Sequence, residues 1–271
     1  MVMKISSGVL NYAKEMSSLY DVVPTNLLQI ADDELINVIY DNYGSNTFDG
    51  LTMFEPTNEE FYIHINTERG NTKENGKGRF TLAHELGHYF IPLHRLGLMT
   101  GKIQPHGSLN YLYDSNAWQI ERDADAFASS LLMPEESVTD FIYGKSFNFG
   151  VIDALAKRYL VSKSAAAIRF AAIGNYPIMV VYALKGKVMW VIHSEDFPFS
   201  RLRNGNAKGD EVPKNTVMGD YFFRHANNGC NEEIVYAGDC FDTRQVSDND
   251  RIFIEWSIPF GDRALSVFWE R

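Results

Sequence analysis

Apolar positions recur every three to four residues through much of the first 175 positions of the chain. This period is typical of helices that bury one face. It predicts helices over residues 5–20, after Pro24, after residue 78, over 115–133, and as two short segments within 151–173. Alternating apolar and polar residues predict strands over 35–40 and 60–66, and clustered glycines predict loops over 67–78 and 95–115.

The pattern changes at Asn175, Tyr176 and Pro177, which form a predicted domain boundary. Beyond it, short alternating runs predict strands over 178–183, 187–192, 251–256 and 264–269. Helices and strands that occupy separate parts of a chain are typical of the α+β class. We therefore expect three parts: a first domain over 1–140, a helical linker segment over 141–175, and a β-rich sensor or docking domain over 176–271.

Composition narrows the classes of partner. The formal net charge is −10, so the chain lacks the basic balance that a large nonspecific nucleic-acid footprint requires. Its two cysteines match no common zinc or redox spacing, which favours a reducing compartment over a disulfide framework. The first residues lack a signal-peptide pattern, and no apolar run approaches the roughly 18 residues of a membrane span. We therefore predict a cytoplasmic protein with no membrane partner.

The predicted helix after residue 78 carries the motif His84-Glu85-Leu86-Gly87-His88. Histidines at positions i and i+4 share one helix face, so both imidazoles can reach one ion. Glu85 projects to the side where an attacking water would sit, which is the position of a general base in metal-assisted hydrolysis. Gly87 is unfavourable in a helix, which indicates that something approaches the backbone closely there. The alternative interpretation is a helix with two surface histidines that pair with acids.

A catalytic zinc site needs a third protein ligand and an open fourth position. Glu121 and Asp125 lie four residues apart on one face of the predicted helix over 115–133. We expect Glu121 to coordinate the ion and Asp125 to accept a hydrogen bond from a ligand histidine. The reverse assignment of the two acids is the nearest alternative, and a solvated acidic face is another. Three tyrosines are candidates for stabilising an oxyanion, namely Tyr89, Tyr111 and Tyr113. His94 is a candidate for flanking the active-site cleft.

Two segments resemble a known family: RFTLAHELGH at 79–88 and ERDADAFASSLLMP at 121–134. Over roughly residues 20–135 the chain resembles the ImmA/IrrE metallopeptidases. The resemblance implies a zincin-like domain, with motif helices against a small sheet, and a gluzincin-like site. It implies His84, His88 and Glu121 as ligands of zinc, with manganese as the alternative, and Glu85 as the general base. Residues 155–169 resemble the helix-turn-helix-like segment of longer members, and 176–271 weakly resemble their GAF-type domain.

The resemblance also implies a substrate, namely a helix-turn-helix transcriptional repressor that is cut at one site. Cleavage would relieve repression in a stress response or during mobile-element induction. The alternative is a non-proteolytic regulatory module that binds a ligand or DNA through the C-terminal and helical segments. The acidic balance of the chain favours a packing role for the helical segment over direct DNA binding. The aromatic-rich C-terminal domain is a candidate receiver of a small-molecule or protein signal.

Overall fold

The chain folds into two compact units. The structure is a computed structural model that describes residues 7–103, 115–203, 208–224 and 231–271. The N-terminal unit comprises Met1–Val138 with Ala154–Ser162, and the C-terminal unit comprises Thr139–Asp153 with Lys163–Arg271. The described ranges contain ten α-helices and two β-sheets, so the predicted α+β class is confirmed. The predicted domain limits at residues 140 and 175 stay a prediction.

The N-terminal unit packs helices on a three-stranded sheet. The strands are β1 (Asn37–Asp41), β2 (Gly50–Glu55) and β3 (Glu60–Asn66), in the order β1-β3-β2. β1 runs parallel to β3, and β2 runs antiparallel to it. The helices are α1 (Ser7–Leu19), α2 (Leu27–Asp33), α3 (Gly76–Phe90), α4 (Pro92–Met99) and α5 (Ser115–Leu132). Helix α3 contacts β2 and β3, and it also packs against α5.

Asparagine side chains fix the loops that lead into these elements. Asn66, which is fully buried, accepts a hydrogen bond from the Glu68 N–H and donates to the Phe48 carbonyl at 3.0 Å. Asn75 caps α3, because its side-chain oxygen accepts from the Gly78 N–H at 2.7 Å. The predicted loop over 67–78 therefore ends in the first turn of α3, with a short 3₁₀ turn at Thr67–Arg69.

The sequence interpretation was wrong at α4. The loop predicted over 95–115 begins with residues that continue the helix started by Pro92, a residue favoured in a first helical turn. Gly97 lies inside α4, where a Cβ atom would meet Ile103 Cδ1 at 2.5 Å. This glycine therefore permits a close contact rather than marking a loop. Strand β2 was not predicted.

The C-terminal unit is built on an antiparallel sheet in the order β5-β4-β8-β7-β6. Its strands are β4 (Met179–Leu184), β5 (Lys187–His193), β6 (Asn231–Tyr236), β7 (Ile252–Phe260) and β8 (Arg263–Glu270). Its helices are α8 (Lys163–Ile173), α9 (Val217–Phe223) and α10 (Ala237–Cys240), while α6 (Glu135–Ile142) and α7 (Phe149–Tyr159) are each divided between the two units. The two predicted helices within 151–173 and the β-rich region are thus present, whereas β6 was not predicted. None of the described helices combines the length and the apolar character that crossing a bilayer requires.

A fully buried carboxylate lies in the C-terminal sheet. Glu255 on β7 accepts hydrogen bonds from the backbone N–H groups of Val217 and Met218, at 2.7 and 3.1 Å, and from the Ser266 hydroxyl at 2.6 Å. Burial raises the pKa of Glu255 to about 7, although these three donors act in the opposite direction. The carboxylate thus joins the first turn of α9 to the sheet.

Candidate metal centre

Two helices bring three metal-binding side chains together. His84 and His88 lie one turn apart on α3, and their Nε2 atoms are 3.1 Å apart. Glu121 on α5 reaches both rings, with Oε2 3.1 Å from His84 Nε2 and Oε1 3.3 Å from His88 Nε2. Among the described residues, these three form the one group of His, Cys, Asp and Glu whose ligand atoms lie within 4.8 Å of one another.

The donor set fits a zinc-type ion. Four ligands placed tetrahedrally at 2.0–2.1 Å from an ion stand roughly 3.3 Å apart, close to the 3.1–3.3 Å separations among the three side chains. Two imidazoles and one carboxylate leave a fourth position open, as in catalytic zinc sites. His84, His88 and Glu121 are therefore positioned to bind a metal ion.

Gly87 lets the two helices approach each other. An added Cβ atom would lie 3.2 Å from Phe127 Cδ1 and 3.3 Å from Ala124 Cα, both on α5. A bulky side chain in place of Gly87 would push α5, and with it Glu121, away from the histidines. The close approach expected from the sequence is therefore present, and the partner that approaches is the helix that carries Glu121.

Asp125 contacts the other nitrogen of His84. Its Oδ1 atom lies 2.9 Å from His84 Nδ1, one helical turn beyond Glu121. In the neutral ring, an Nδ1–H that donates to this carboxylate leaves the Nε2 lone pair free to bind an ion. The structure thus places Asp125 behind the imidazole, where a supporting acid is expected, and Glu121 in front of it.

His84 and Glu121 change each other's pKa. Burial lowers the pKa of His84, but hydrogen bonds to Asp125 and Glu121 outweigh this effect and raise it well above its usual value. For Glu121, burial raises the pKa, but hydrogen bonds from His84 and His88 outweigh this effect and hold the pKa well below its usual range. Glu121 is therefore ionised at neutral pH, as a metal ligand must be.

Glu85 lies beside this group and is held by β2. Its carboxylate is buried, and Oε2 accepts a hydrogen bond from the Thr52 hydroxyl at 2.7 Å. A Cβ atom on Gly50 would stand only 2.6 Å from Glu85 Oε1 and 2.7 Å from Thr81 Cγ2, so a side chain at this position of β2 would displace these neighbours. Thr52 and Gly50 were both missed in the sequence, where the one available signal was a short run between Gly50 and Pro56 with Thr52 and Phe54 inside it.

The remaining candidates fall in different places. His94 is buried on α4, with its ring centroid 5.3 Å from that of His88, so it flanks the group as proposed from the sequence. The Tyr89 hydroxyl donates to Glu34 at 3.0 Å and is thus engaged with another part of the unit. Tyr111 and Tyr113 lie outside the described residues.

Comparisons with known proteins agree with this geometry. Residues 57–171 match the Peptidase_M78 family, described as the IrrE N-terminal-like domain, and the matched segment contains all five predicted site residues. This match confirms the predicted resemblance and supports a metallopeptidase of the IrrE type. No curated protein matches the chain. A solved structure of a Mycobacterium tuberculosis transcriptional regulator is similar in fold, with a TM-score of 0.65 and 14% sequence identity. The match covers 98% of this chain and 77% of the regulator's chain, and it shows likeness of fold alone.

Proposed function

Because residues 57–171 match the IrrE N-terminal-like domain, we propose that this protein is a metal-dependent endopeptidase that cuts a helix-turn-helix transcriptional repressor at one site. The observation that carries the proposal is the convergence of His84, His88 and Glu121 within 4.8 Å, next to Glu85, whose charge acts on the His84 ring. We propose zinc as the ion, with manganese as the alternative. When bound, such an ion supplies a Lewis acid for the scissile carbonyl and lowers the pKa of water.

In this proposal each side chain has a defined task. His84, His88 and Glu121 hold the ion, and Asp125 orients the His84 ring from behind. Glu85 takes the proton from the attacking water and passes it to the leaving amine. The Thr52 hydroxyl donates to one carboxylate oxygen of Glu85, which fixes the orientation of the base.

Strand β2 provides a place for the substrate chain. It is an edge strand of its sheet, because among the described strands it pairs with β3 alone. An edge strand can hydrogen-bond to an extended peptide through its backbone. Since Thr52 of β2 contacts Glu85, a peptide paired with this strand would run past the proposed base. This arrangement supports a protein substrate rather than a small molecule.

The biological setting follows from the proposed substrate. A repressor acts on DNA, so we place the peptidase in the cytoplasm and propose that cleavage relieves repression during stress or mobile-element induction. The family match supports the coarser part of this proposal, a protein substrate. We propose that the C-terminal unit receives the signal or docks the repressor.

The test is cleavage of a helix-turn-helix repressor encoded beside this protein. The purified full chain is incubated with that repressor and zinc or manganese, with and without a chelator. We expect one specific cut that chelator abolishes and that Glu85→Gln lowers by at least about a hundredfold. Glu121→Ala should lose bound metal. Full activity of Glu85→Gln, or tight operator binding without any cleavage, would contradict the proposal and favour a non-proteolytic regulator.

A further inference from the structure

A groove of about 730 Å³ lies in the N-terminal unit where α2, β2, β3, α3 and α4 come together. Its apolar lining includes Leu35, Phe54, Phe61 and Met99. Four acidic residues also line it: Asp32, Glu34, Glu59 and Glu60. Among its described lining residues Arg95 is the one cation, and its guanidinium lies over the Tyr89 ring at 4.2 Å. The groove is therefore apolar with a strongly acidic rim.

Backbone strain is concentrated at this groove. Leu35 has a φ of +56° and Glu59 a φ of +57°, a region that L-residues with side chains rarely adopt. Four described non-glycine residues have positive φ, and two of them line this groove. Leu35 is 84% exposed, so its strained backbone holds a large apolar side chain in solvent. Leu35 takes this conformation directly after α2 ends, where its N–H donates to the Asp32 carbonyl and the Ile36 N–H donates to the Ala31 carbonyl.

The exposed apolar surface continues along α4. Leu93, Leu96 and Met99 are 78%, 58% and 45% exposed, and their spacing places them along one side of the helix. His94 and Leu98 are buried on the other side of α4. Because Met99 also lines the groove, the apolar stripe and the groove form one surface. Contiguous apolar surface with a polar rim marks interaction sites.

We propose that this surface docks a basic, amphipathic segment of the protein substrate, an inference that rests on the proposed peptidase function. Leucine-type side chains of that segment would enter the apolar floor beside Leu35. Its lysines and arginines would pair with the acidic rim, which repels nucleic acid and anionic membranes. Repressors carry basic segments because they bind DNA, so a substrate of that class has the matching charge.

The position of the groove relates docking to cleavage. Phe54, which lines the groove, follows Thr52 by two residues on β2, a distance of roughly 7 Å along a strand. Thr52 contacts the proposed base, Glu85. A segment held in the groove would therefore deliver its neighbouring residues to the edge strand beside the metal centre. The groove would select the substrate, whereas the centre would cut it.

The experiment measures docking without cleavage. The probe is a fluorescein-labelled peptide of three Lys-Leu-Leu-Arg repeats, and its control replaces every lysine and arginine by glutamate. Binding to the full chain carrying Glu85→Gln is followed by fluorescence anisotropy in the presence of a chelator. We expect the basic peptide to bind, the acidic peptide to fail, and added salt to weaken the complex.

Matched variants localise the binding. Leu35→Ser should weaken binding of the basic peptide about tenfold or more, because the leucine contact that the bound peptide would bury is lost. Leu19→Ser removes a leucine of α1 that is 72% exposed, and it should leave binding unchanged. Asp32→Asn combined with Glu59→Gln should also weaken binding, whereas Glu15→Gln, an exposed acid on α1, should not. All of these positions are exposed, so thermal unfolding should match that of the parent chain.

The outcomes separate this inference from the proposed function. Unchanged peptide binding in Leu35→Ser, or equal binding of the acidic peptide, would overturn the docking site. A dimer of the parent chain that Leu35→Ser dissociates would also overturn the docking site, since a second copy of the chain would then occupy the groove. Peptide binding that depends on Leu35, together with no metal-dependent cleavage of any repressor, would contradict the peptidase proposal and leave the docking surface standing.

Discussion

Replacing Gly50 by alanine tests whether β2 positions the proposed general base. Gly50 lies on β2 against α3, and the added methyl group would stand 2.6 Å from Glu85 Oε1 and 2.7 Å from Glu85 Cγ. An ordinary contact to a Cβ atom begins at about 3.4 Å, so the carboxylate must move by about 0.8 Å. His84, His88 and Glu121 are absent from the atoms nearest to that methyl group.

The expected effect is large on rate and small on stability. A displacement near 1 Å of a catalytic group costs about a hundredfold in rate, which corresponds to about 2.7 kcal/mol of barrier. The Glu85 carboxylate is the end of a flexible side chain, so overpacking should cost only about 1–3 kcal/mol of folding free energy. Bound metal should stay at the parent level.

The assay compares the chelator-sensitive cleavage rate, the bound metal and the unfolding midpoint of Gly50→Ala with those of the parent. Gly150→Ala is the matched control, because its Cβ would meet Asn148 Oδ1 at a similar 2.7 Å but in the C-terminal unit. The control should cleave at the parent rate. Parent-level cleavage by a folded, metal-loaded Gly50→Ala would refute the argument that β2 fixes the base.

Substitutions at three further positions probe the metal centre and the C-terminal unit. Thr52→Val should lower the cleavage rate with unchanged bound metal, and Thr52→Ser should restore it, because only the hydroxyl bonds Glu85; equal rates of the two variants would contradict this role. Asp125→Asn should weaken metal affinity about 10- to 100-fold in a titration with a competing chelator. The pKa of Glu255 rises from 4.5 in the unfolded chain to about 7 in the folded protein. Its contribution to the free energy of unfolding is therefore fully present below pH 4.5 and is lost as the pH rises through 7. The loss amounts to at most about 3 kcal/mol. Denaturant unfolding between pH 5 and 8 should show this decline in the parent and lose it in Glu255→Gln; equal slopes would contradict the raised pKa.

Local sequence was sufficient where the geometry is local. His84, Glu85 and His88 lie within one turn of a single helix, and the helical period alone places two imidazoles on one face. The periodic apolar positions likewise act over a few residues, so α3 and α5 could be predicted.

Tertiary packing decided which other residues join the site. Glu121 is 33 positions from His88, and only the close packing of α3 on α5 at Gly87 brings them together. The sequence left the order of Glu121 and Asp125 open because both share a helix face. The structure separates them by the ring nitrogen of His84 that each contacts.

Strand β2 shows why the rest escaped prediction. Its buried positions in the first half of the strand are Gly50 and Thr52, whereas Leu51 and Met53 are more exposed. Hydrophobic alternation would therefore have assigned its faces the wrong way round. Small residues are required on that face because the strand lies against the carboxylate of Glu85, and this contact exists only once helix and sheet have packed. The sequence by itself thus determined the helical motif and the two candidate acids, whereas the tertiary structure decided which nitrogen of the His84 ring each acid contacts and which side chain of β2 contacts Glu85.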